Sequence, residues 1–312
     1  MSSSAALAPA PDRAPLTKKA LTADHPTWCP GCGDFAVLAC YYRALENLNY
    51  PHEKIVTMAG IGCSSRFPYF VNSHGGHFIH GRSVPFSAGI SLGRDDLHVF
   101  VFGGDGDGFS IGGNHLEHVA RKNVNLTYVI MDNSVYGLTK KQTSPTSPVG
   151  FKTKTDPTGA IDQPVNPMRK LVNSGATFVA RSHASQVNHM IEMMVRAARH
   201  EGFSVIEILS ECVEFYPGAF DAANPRKGGA FPLIEEKKHD GTPEDALRHD
   251  PSDELAAHQL ASRPWPGLFG VFLETKRPTK NQLEAGLVAK ARERTRGASD
   301  LALLQASFSK LR

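Results

Sequence analysis

Five short runs of this chain are apolar from end to end, and helical patterns separate them. KIVTMAGIGC (54–63), LHVFVFGGDGDG (97–108), NLTYVIMDN (125–133), ATFVAR (176–181) and FSVIEILSEC (203–212) lack the one-face alternation of a half-exposed strand. A strand that is apolar on both sides must be covered on both faces, as parallel strands joined by crossover helices are. Helical spacing occurs in Asp34–Leu48, where Val37, Leu38, Tyr41, Tyr42, Leu45 and Leu48 recur on one face. It occurs again in Val84–Leu92, Asn114–Arg121, Pro167–Val172 and Gln186–Arg199. The pattern predicts an α/β chain with a doubly wound, mostly parallel sheet over residues 17–215. Right-handed crossovers carry the carboxyl ends of such strands to one edge, where these sheets bind ligands.

The flanks read differently. Residues 1–16 are rich in Ser, Ala and Pro without periodicity, which predicts a mobile arm. Residues 216–312 form a less regular C-terminal extension with one strand-like run, GLFGVFLET, and helical spacing through Leu283, Leu287 and Ala291, then Leu301, Leu304, Phe308 and Leu311. That tail reads either as a subunit-docking arm or as peripheral helices packed on their own domain. With 34 Lys and Arg against 31 Asp and Glu, net charge is +3. No run of five basic residues occurs, so nucleic acid is not expected as a partner. No apolar run approaches the ~20 residues that cross a bilayer, and no basic head precedes an apolar core. The expectation is a cytoplasmic protein away from membranes, in a reducing compartment where disulfides are uncommon and Cys-x-x-Cys serves metals or redox chemistry.

Glycine turns between a strand and a helix commonly cradle phosphate, because main-chain N–H groups approach the anion and the helix N-terminus is positive. An aspartate inside that turn repels phosphate unless a divalent cation lies between them, and Mg²⁺ binds through one or two carboxylates plus phosphate oxygens. Asp105 ends one predicted strand and Asn133 the next. Neighbouring strands lie about 4.8 Å apart, close enough for both side chains to reach one ion, with a main-chain carbonyl near Val135 as a third ligand. A nicotinamide site would show G-x-G-x-x-G with an acidic residue ~20 positions later. Here the acids sit inside the turn. The plainer alternative is an Asp/Gly turn with an unrelated Asn.

Cys29 and Cys32 lie in W-C-P-G-C-G just before a helix, while Cys63 and Cys212 end two apolar runs on the edge that carries Asp105 and Asn133. Four thiolates hold either Zn²⁺ or a [4Fe–4S] cluster, and spacing alone does not separate the two. Structural zinc usually joins two Cys-x-x-Cys pairs, whereas here one pair is joined by two distant single cysteines at the binding edge, which suits electron transfer better. Cys40 falls within the first long helix and reads as a small buried hydrophobe. His115 and His118, three apart on a helix without a companion ligand, read as surface or packing residues.

The glycine–aspartate turn with its distant Asn resembles the thiamine diphosphate motif. Together TWCPGCGDF, GIGCSSRFPYF, HGRSVPFSAGI, GGDGDG and NSVYGLTKKQTSPT are similar to the β subunit of 2-oxoacid:ferredoxin oxidoreductases, over roughly residues 20–215. The resemblance implies the diphosphate-type thiamine-binding fold. It implies Asp105, Asn133 and Val135 on Mg²⁺, and Gly106, Asp107, Gly137 and Leu138 along the diphosphate. Ile61, Gly62, Cys63, Ser64 and His80 would surround the rest of the cofactor. It further implies a [4Fe–4S] cluster on Cys29, Cys32, Cys63 and Cys212, and makes Arg66, Lys140 and His80 the candidate catalytic side chains. Arg66 and Lys140 fall in segments that the resemblance puts around the substrate. A dicarboxylic 2-oxoacid needs a cation for its distal carboxylate, which favours 2-oxoglutarate over pyruvate. Solvent-facing or ferredoxin-steering charges are the competing reading, and Lys141 beside Lys140 supports it.

The implied activity is reversible oxidative decarboxylation of a 2-oxoacid with coenzyme A, giving acyl-CoA, CO₂ and reduced ferredoxin. Thiamine enzymes generally activate the cofactor with a carboxylate from a pyrimidine-binding domain, and this sequence has patterned material for one α/β unit only. An α subunit carrying that domain is therefore expected, in a heterodimer or a dimer of heterodimers. The rivals are a pyruvate-specific enzyme, a non-oxidative thiamine decarboxylase, which has no need of four cysteines, and a zinc-stapled binding protein without redox activity.

Overall fold

Burial on both faces, inferred from the unbroken apolar runs, is realised in one seven-stranded sheet. The computed structural model describes residues 14–236, 248–295 and 297–310. Its strands are β1 (Ile55–Ala59), β2 (His74–His77), β3 (His98–Gly104), β4 (Leu126–Asp132), β5 (Phe178–His183), β6 (Phe203–Leu209) and β7 (Gly270–Glu274), in the order β2-β1-β3-β4-β6-β5-β7. Every pairing is parallel except that of β7 with β5.

Successive strand residues enter opposite cores. Phe100, Phe102, Val129, Met131, Ile206 and Ile208 face one, and Val99, Val101, Tyr128, Ile130 and Val205 face the other. Helices in chain order are α1 (Lys18–Leu21), α2 (Asp34–Leu48), α3 (Phe67–Phe70), α4 (Ser83–Gly93), α5 (Gly113–Lys122), α6 (Pro167–Asn173), α7 (Val187–Arg199), α8 (Glu254–Ala261), α9 (Lys280–Arg294) and α10 (Asp300–Ser309). Val37, Tyr41 and Leu45 of α2 and Met190 and Met194 of α7 cover the first face. Val84 of α4, Leu116 and Val119 of α5, Leu171 of α6 and Ala257 of α8 cover the second. Leu45 is wholly buried, and its truncation to Ala would cost about 2–5 kcal/mol.

Two features depart from the sequence pattern. Strand β2, HGGH, is an exposed edge strand with no apolar side chain to announce it, and its pairing to Val56–Ala59 of β1 defines it. The sheet also runs past residue 215, because β7 closes its far edge and Ala257 and Ala261 of α8 lie in the second core. Beyond that, α9 is fastened at its start by a Thr279–Gln282 capping box and by Asn281 on Ser91 and Asn125, yet neither α9 nor α10 buries a residue. Residues 1–13 of the N-terminal arm and Leu311 of the tail lie outside the described residues. Leu16, which ends the arm, is buried and donates its N–H to Asn49 Oδ1 at 2.9 Å. Among the described residues, no helix is long and apolar enough to cross a membrane.

Candidate active site

Strands β3 and β4 are neighbours, with Gly104 paired to Met131, so Asp105 and Asn133 leave the sheet side by side. Asp105 is 2% exposed. Burial and then the nearby Asp132 charge push its carboxyl up to about 7, and Asp132 is raised as well, chiefly by burial. Thr146 Oγ1 lies 2.8 Å from Asp105 Oδ2 and 2.9 Å from Asp132 Oδ1, and its single proton serves one of them at a time. Behind this pair Glu207, held by Arg181 Nε at 2.5 Å, is pushed up to about 8 by burial. Buried carboxyls this close must take up a proton or a cation. Asn133 Oδ1 accepts from Val135 N at 3.1 Å while Ser134 takes the left-handed region, φ 54°, and this folds the loop over the rim. Asp105 and Asn133 thus bring a carboxylate and an amide to one rim, oxygen-bearing side chains of the kind Mg²⁺ selects.

Every residue assigned to magnesium or the cofactor lines one cavity of about 100 Å³ at this rim, from Ile61 through Leu138. After β3 the chain makes a wide, π-type turn over Gly106–Ile111, broken at Ser110. A Cβ on Gly106 would lie 2.1 Å from Cε1 of Tyr136, so only glycine admits that ring over the turn. Asp107, placed along the diphosphate by resemblance, lines this cavity and holds its surrounding loops. Its Oδ1 accepts from Ile61 N (3.0 Å), Gly81 N (2.7 Å) and His80 Nδ1 (2.7 Å), pinning two loops to the turn. With Nδ1 turned to Asp107, Nε2 is the ring nitrogen of His80 that Asp107 does not engage.

A second cavity of about 260 Å³ adjoins the first and is lined by Cys29, Cys32, Cys63 and Cys212 together with Arg66 and Lys140. Long-range bonds draw its loops together. Trp28 Nε1 donates to Cys63 O at 2.7 Å, and Ser210 Oγ donates to Asp34 Oδ1 at 2.7 Å. A Cβ on Gly137 would lie 3.5 Å from Cys212 Sγ and 3.8 Å from Cys63 Sγ. Burial, then the Asp34 charge, pushes the Cys63 thiol up to about 11, and the same two causes raise Cys32 further. Among the described residues no three His, Cys, Asp or Glu side chains are drawn into a tight ligating set.

Arg66 is fixed by Nη1 donating to Thr27 O at 3.1 Å and to its hydroxyl at 3.0 Å. Lys140 and Lys141 both have left-handed backbone, φ 72° and 76°, and diverge: Lys140 lines the thiol cavity, while Lys141 Nζ lies 5.3 Å over the Phe151 ring. Cys40 is fully buried in α2, and His118 is an exposed residue of α5 bonded by Arg121 Nε. Sequence reasoning gave Asp132 only as a strand end and Asp34 only as a helix start, and assigned Thr146 and Trp28 no role. Thr146 carries no local signal, since its role depends on a loop returning to the rim from 41 positions beyond Asp105.

Fold and site together define the thiamine diphosphate class, and residues 60–208 match the family model described as "Thiamine pyrophosphate enzyme, C-terminal TPP binding domain". The chain is 46% identical over 226 residues to 2-oxoglutarate oxidoreductase subunit KorB of Mycobacterium tuberculosis, a match covering 72% of this chain and 60% of that protein. It is 35% identical over 244 residues to 2-oxoglutarate synthase subunit KorB of Methanothermobacter thermautotrophicus, covering 77% of this chain and 84% of that one. Among solved structures, 2-oxoglutarate:ferredoxin oxidoreductase from Magnetococcus marinus, with 2-oxoglutarate, coenzyme A and succinyl-CoA bound, superposes with TM-score 0.80 at 40% identity, over 93% of this chain and 95% of that one. The chain belongs to the 2-oxoacid:ferredoxin oxidoreductase β-subunit family. Several curated relatives extend beyond the shared region, the match spanning about three fifths of their length.

Proposed function

We propose that this chain carries thiamine diphosphate, Mg²⁺ and a [4Fe–4S] cluster as the β subunit of an enzyme that oxidatively and reversibly decarboxylates 2-oxoglutarate. Coenzyme A is the acyl acceptor and ferredoxin the electron acceptor. One observation carries the reading: Cys63, Asn133, Gly137 and Leu138 are walls of both cavities, so a diphosphate-anchored cofactor and a thiol-held metal centre would be immediate neighbours. When bound, thiamine diphosphate supplies the electron sink for carbanion chemistry and the cluster supplies one-electron transfer.

The chain's own residues do the rest. Asp105, Asn133 and the Val135 main chain hold the metal, Gly106 and Gly137 admit the diphosphate, and His80 accepts or returns a proton at Nε2. Arg66 and Lys140 take the substrate's distal carboxylate. Asp107 positions His80 and the loops at Ile61 and Gly81. A lone zinc ion with bonds of about 2.3 Å would require thiols packed tightly around one point. Four thiols spread around 260 Å³ favour a larger cluster. The names of the relatives and of the neighbouring structure favour 2-oxoglutarate over pyruvate.

The β-subunit names of the relatives support an α subunit that supplies the pyrimidine-binding half, in a heterodimer or a dimer of heterodimers, with the α9–α10 tail as its docking arm. A reducing, cytoplasmic setting keeps the thiols available. The test is anaerobic co-purification with the α subunit, metal and sulfide analysis, and turnover with 2-oxoglutarate and pyruvate side by side. Iron with acid-labile sulfide and preferred 2-oxoglutarate turnover is the expected result. A colourless, zinc-containing, iron-free protein would eliminate the redox reading, and a preference for pyruvate would overturn the substrate.

A further inference from the structure

The C-terminal extension helps to enclose a third cavity, about 330 Å³, at the carboxyl ends of β4, β5 and β6. None of its wall residues lines the diphosphate cavity or the thiol cavity. Its innermost wall carries Asp132, Arg181 and Glu207, each more than nine-tenths buried. Parallel pairing sets Arg181 opposite Glu207, and Arg181 Nε donates to Glu207 Oε2 at 2.5 Å. The remaining polar atoms there are unmatched. Among the described residues Nη1 and Nη2 of Arg181 have no acceptor. No N–H or hydroxyl donates to Glu207 Oε1, whose neighbour is the Asp132 carboxyl. The bonds that Asp132 accepts, from Ser134 N, Ser134 Oγ and Thr146 Oγ1, all fall on Oδ1.

Glycine keeps the guanidinium open to the cavity. Gly267 has φ 71°, and a Cβ there would lie 3.0 Å from Arg181 Nη1. The rest of the wall is largely apolar, with Pro148, Tyr216, Pro266 and the rings of Phe220 and Trp265, whose centroids are 5.9 Å apart. An apolar cavity of this volume with a few convergent polar groups has the character of a small-molecule site, and buried polar groups without partners are rare in folded chains. The unmatched atoms define what fits. An ammonium can donate to Glu207 Oε1 and Asp132 Oδ2, while a carboxylate beside it accepts from both Arg181 Nη atoms. A plain carboxylic acid would set its anion against the two carboxyls, and a plain amine would set its cation against the guanidinium.

We propose that this cavity binds a zwitterionic α-amino acid with an apolar side chain. Thr146 lines the cavity and also bonds Asp105, so the ligand sits one hydroxyl away from the magnesium rim. Binding here needs neither thiamine diphosphate nor a cluster, and the proposal stands or falls apart from the function proposed above.

The test titrates the full chain by calorimetry, as wild type, Trp265→Ala and Arg181→Gln, with L-phenylalanine, 3-phenylpropanoate and 2-phenylethylamine. L-Phenylalanine is expected to bind, and each analogue lacking one charged group to bind at least about tenfold more weakly, as the loss of a charged hydrogen bond dictates. Trp265 is 51% exposed, so Trp265→Ala is expected to keep its melting temperature and to weaken L-phenylalanine about tenfold through lost apolar contact. Arg181→Gln is expected to abolish binding; if that variant does not fold, Trp265→Ala decides the matter. No heat from L-phenylalanine at roughly 10 mM overturns the proposal, since binding weaker than that is no site. Equal affinity for the three compounds overturns it too, as does an L-phenylalanine affinity unchanged in Trp265→Ala or in folded Arg181→Gln.

Discussion

The diphosphate cavity and the thiol cavity share a wall but are built by opposite means. The first is organised by consecutive rim segments: Asp107 reaches Ile61, His80 and Gly81, and Asn133 bonds within its own turn. The second is drawn together by separate single bonds with no shared side chain, Trp28 to Cys63 and Ser210 to Asp34. Their ionisation differs too. Asp105 sits near 7, on the edge of being charged, whereas Cys63 sits near 11 and stays protonated at neutrality. On the proposed reading, the oxygen side would be poised for its metal, while the sulfur side would reach its charged form only as metal displaced protons.

The strongest challenge to this contrast is to remove one ligand from each side. Asp105→Ala is expected to weaken Mg²⁺–thiamine diphosphate binding by roughly a hundredfold or more, by calorimetry, while iron per chain stays at the wild-type value. Cys212→Ser is expected to abolish iron loading and to leave cofactor binding within about threefold. If either substitution empties both cavities, the shared wall makes them one cooperative unit and the contrast collapses.

The pH dependences should separate the two sides next. Asp105 and Glu207 have raised folded-state values, about 7 and about 8. Each contributes stability that is fully present below the unfolded carboxyl value and is lost as pH rises through the folded one. The apo-protein is therefore expected to melt at lower temperature at pH 8 than at pH 5. Mg²⁺ needs the carboxylate, so its affinity should climb by about tenfold per unit below pH 7 and then level off. For the thiol side, Cys63 titrates near 11, so proton release on iron loading should persist across pH 6–9 without a plateau. A flat Mg²⁺ affinity from pH 5 to 7 would contradict the assignment of Asp105 as a ligand.

Glycines on the two sides sharpen the contrast further. Gly106→Ala forces a Cβ to within 2.1 Å of the Tyr136 ring, and the displaced ring is expected to cost about 1–3 kcal/mol of stability in a thermal melt. Gly137→Ala meets both thiols at ordinary contact distances, 3.5 and 3.8 Å, and is expected to cost under about 1 kcal/mol. Equal losses would mean that the sulfur side is as rigid as the oxygen side.

What the sequence disclosed follows the same division. The parallel sheet was legible because an apolar run without alternation has only one stable environment, and Asp34–Leu48 forms a helix over its expected length for a similar reason. Strand β2 was not legible, since HGGH is defined by the edge of β1 rather than by its own side chains. In the diphosphate cavity, motif residues emerged as a group because the strand–turn–helix unit is local, and the resemblance named the rest. Asp107 shows what that route leaves out: its place in the motif suggested the diphosphate, while the bonds its Oδ1 accepts from Ile61 N and Gly81 N depend on loops that only the folded chain brings together. Four cysteines suggested a metal. What assembles them, Trp28 and the Asp34–Ser210 bond, depends on loops that meet only in the folded chain.

The smallest expected effect concerns two adjacent lysines whose identical chemistry the sequence did not tell apart. Both adopt left-handed backbone, a conformation unfavourable for a side chain of this size, and their side chains have different surroundings. Lys141 spends its charge over Phe151, a contact worth about 0.5–1 kcal/mol at an exposed site. Lys140 faces the thiol cavity beside Arg66. In the αβ complex, Lys140→Met is expected to raise KM for 2-oxoglutarate about tenfold, the loss of one charged hydrogen bond, and to leave KM for pyruvate unchanged. Lys141→Met should leave both within about twofold and lower the melting temperature slightly. Equal effects of the two substitutions on 2-oxoglutarate would show that the cavity reads net positive charge, as a ferredoxin-docking face does, rather than a carboxylate held at one point.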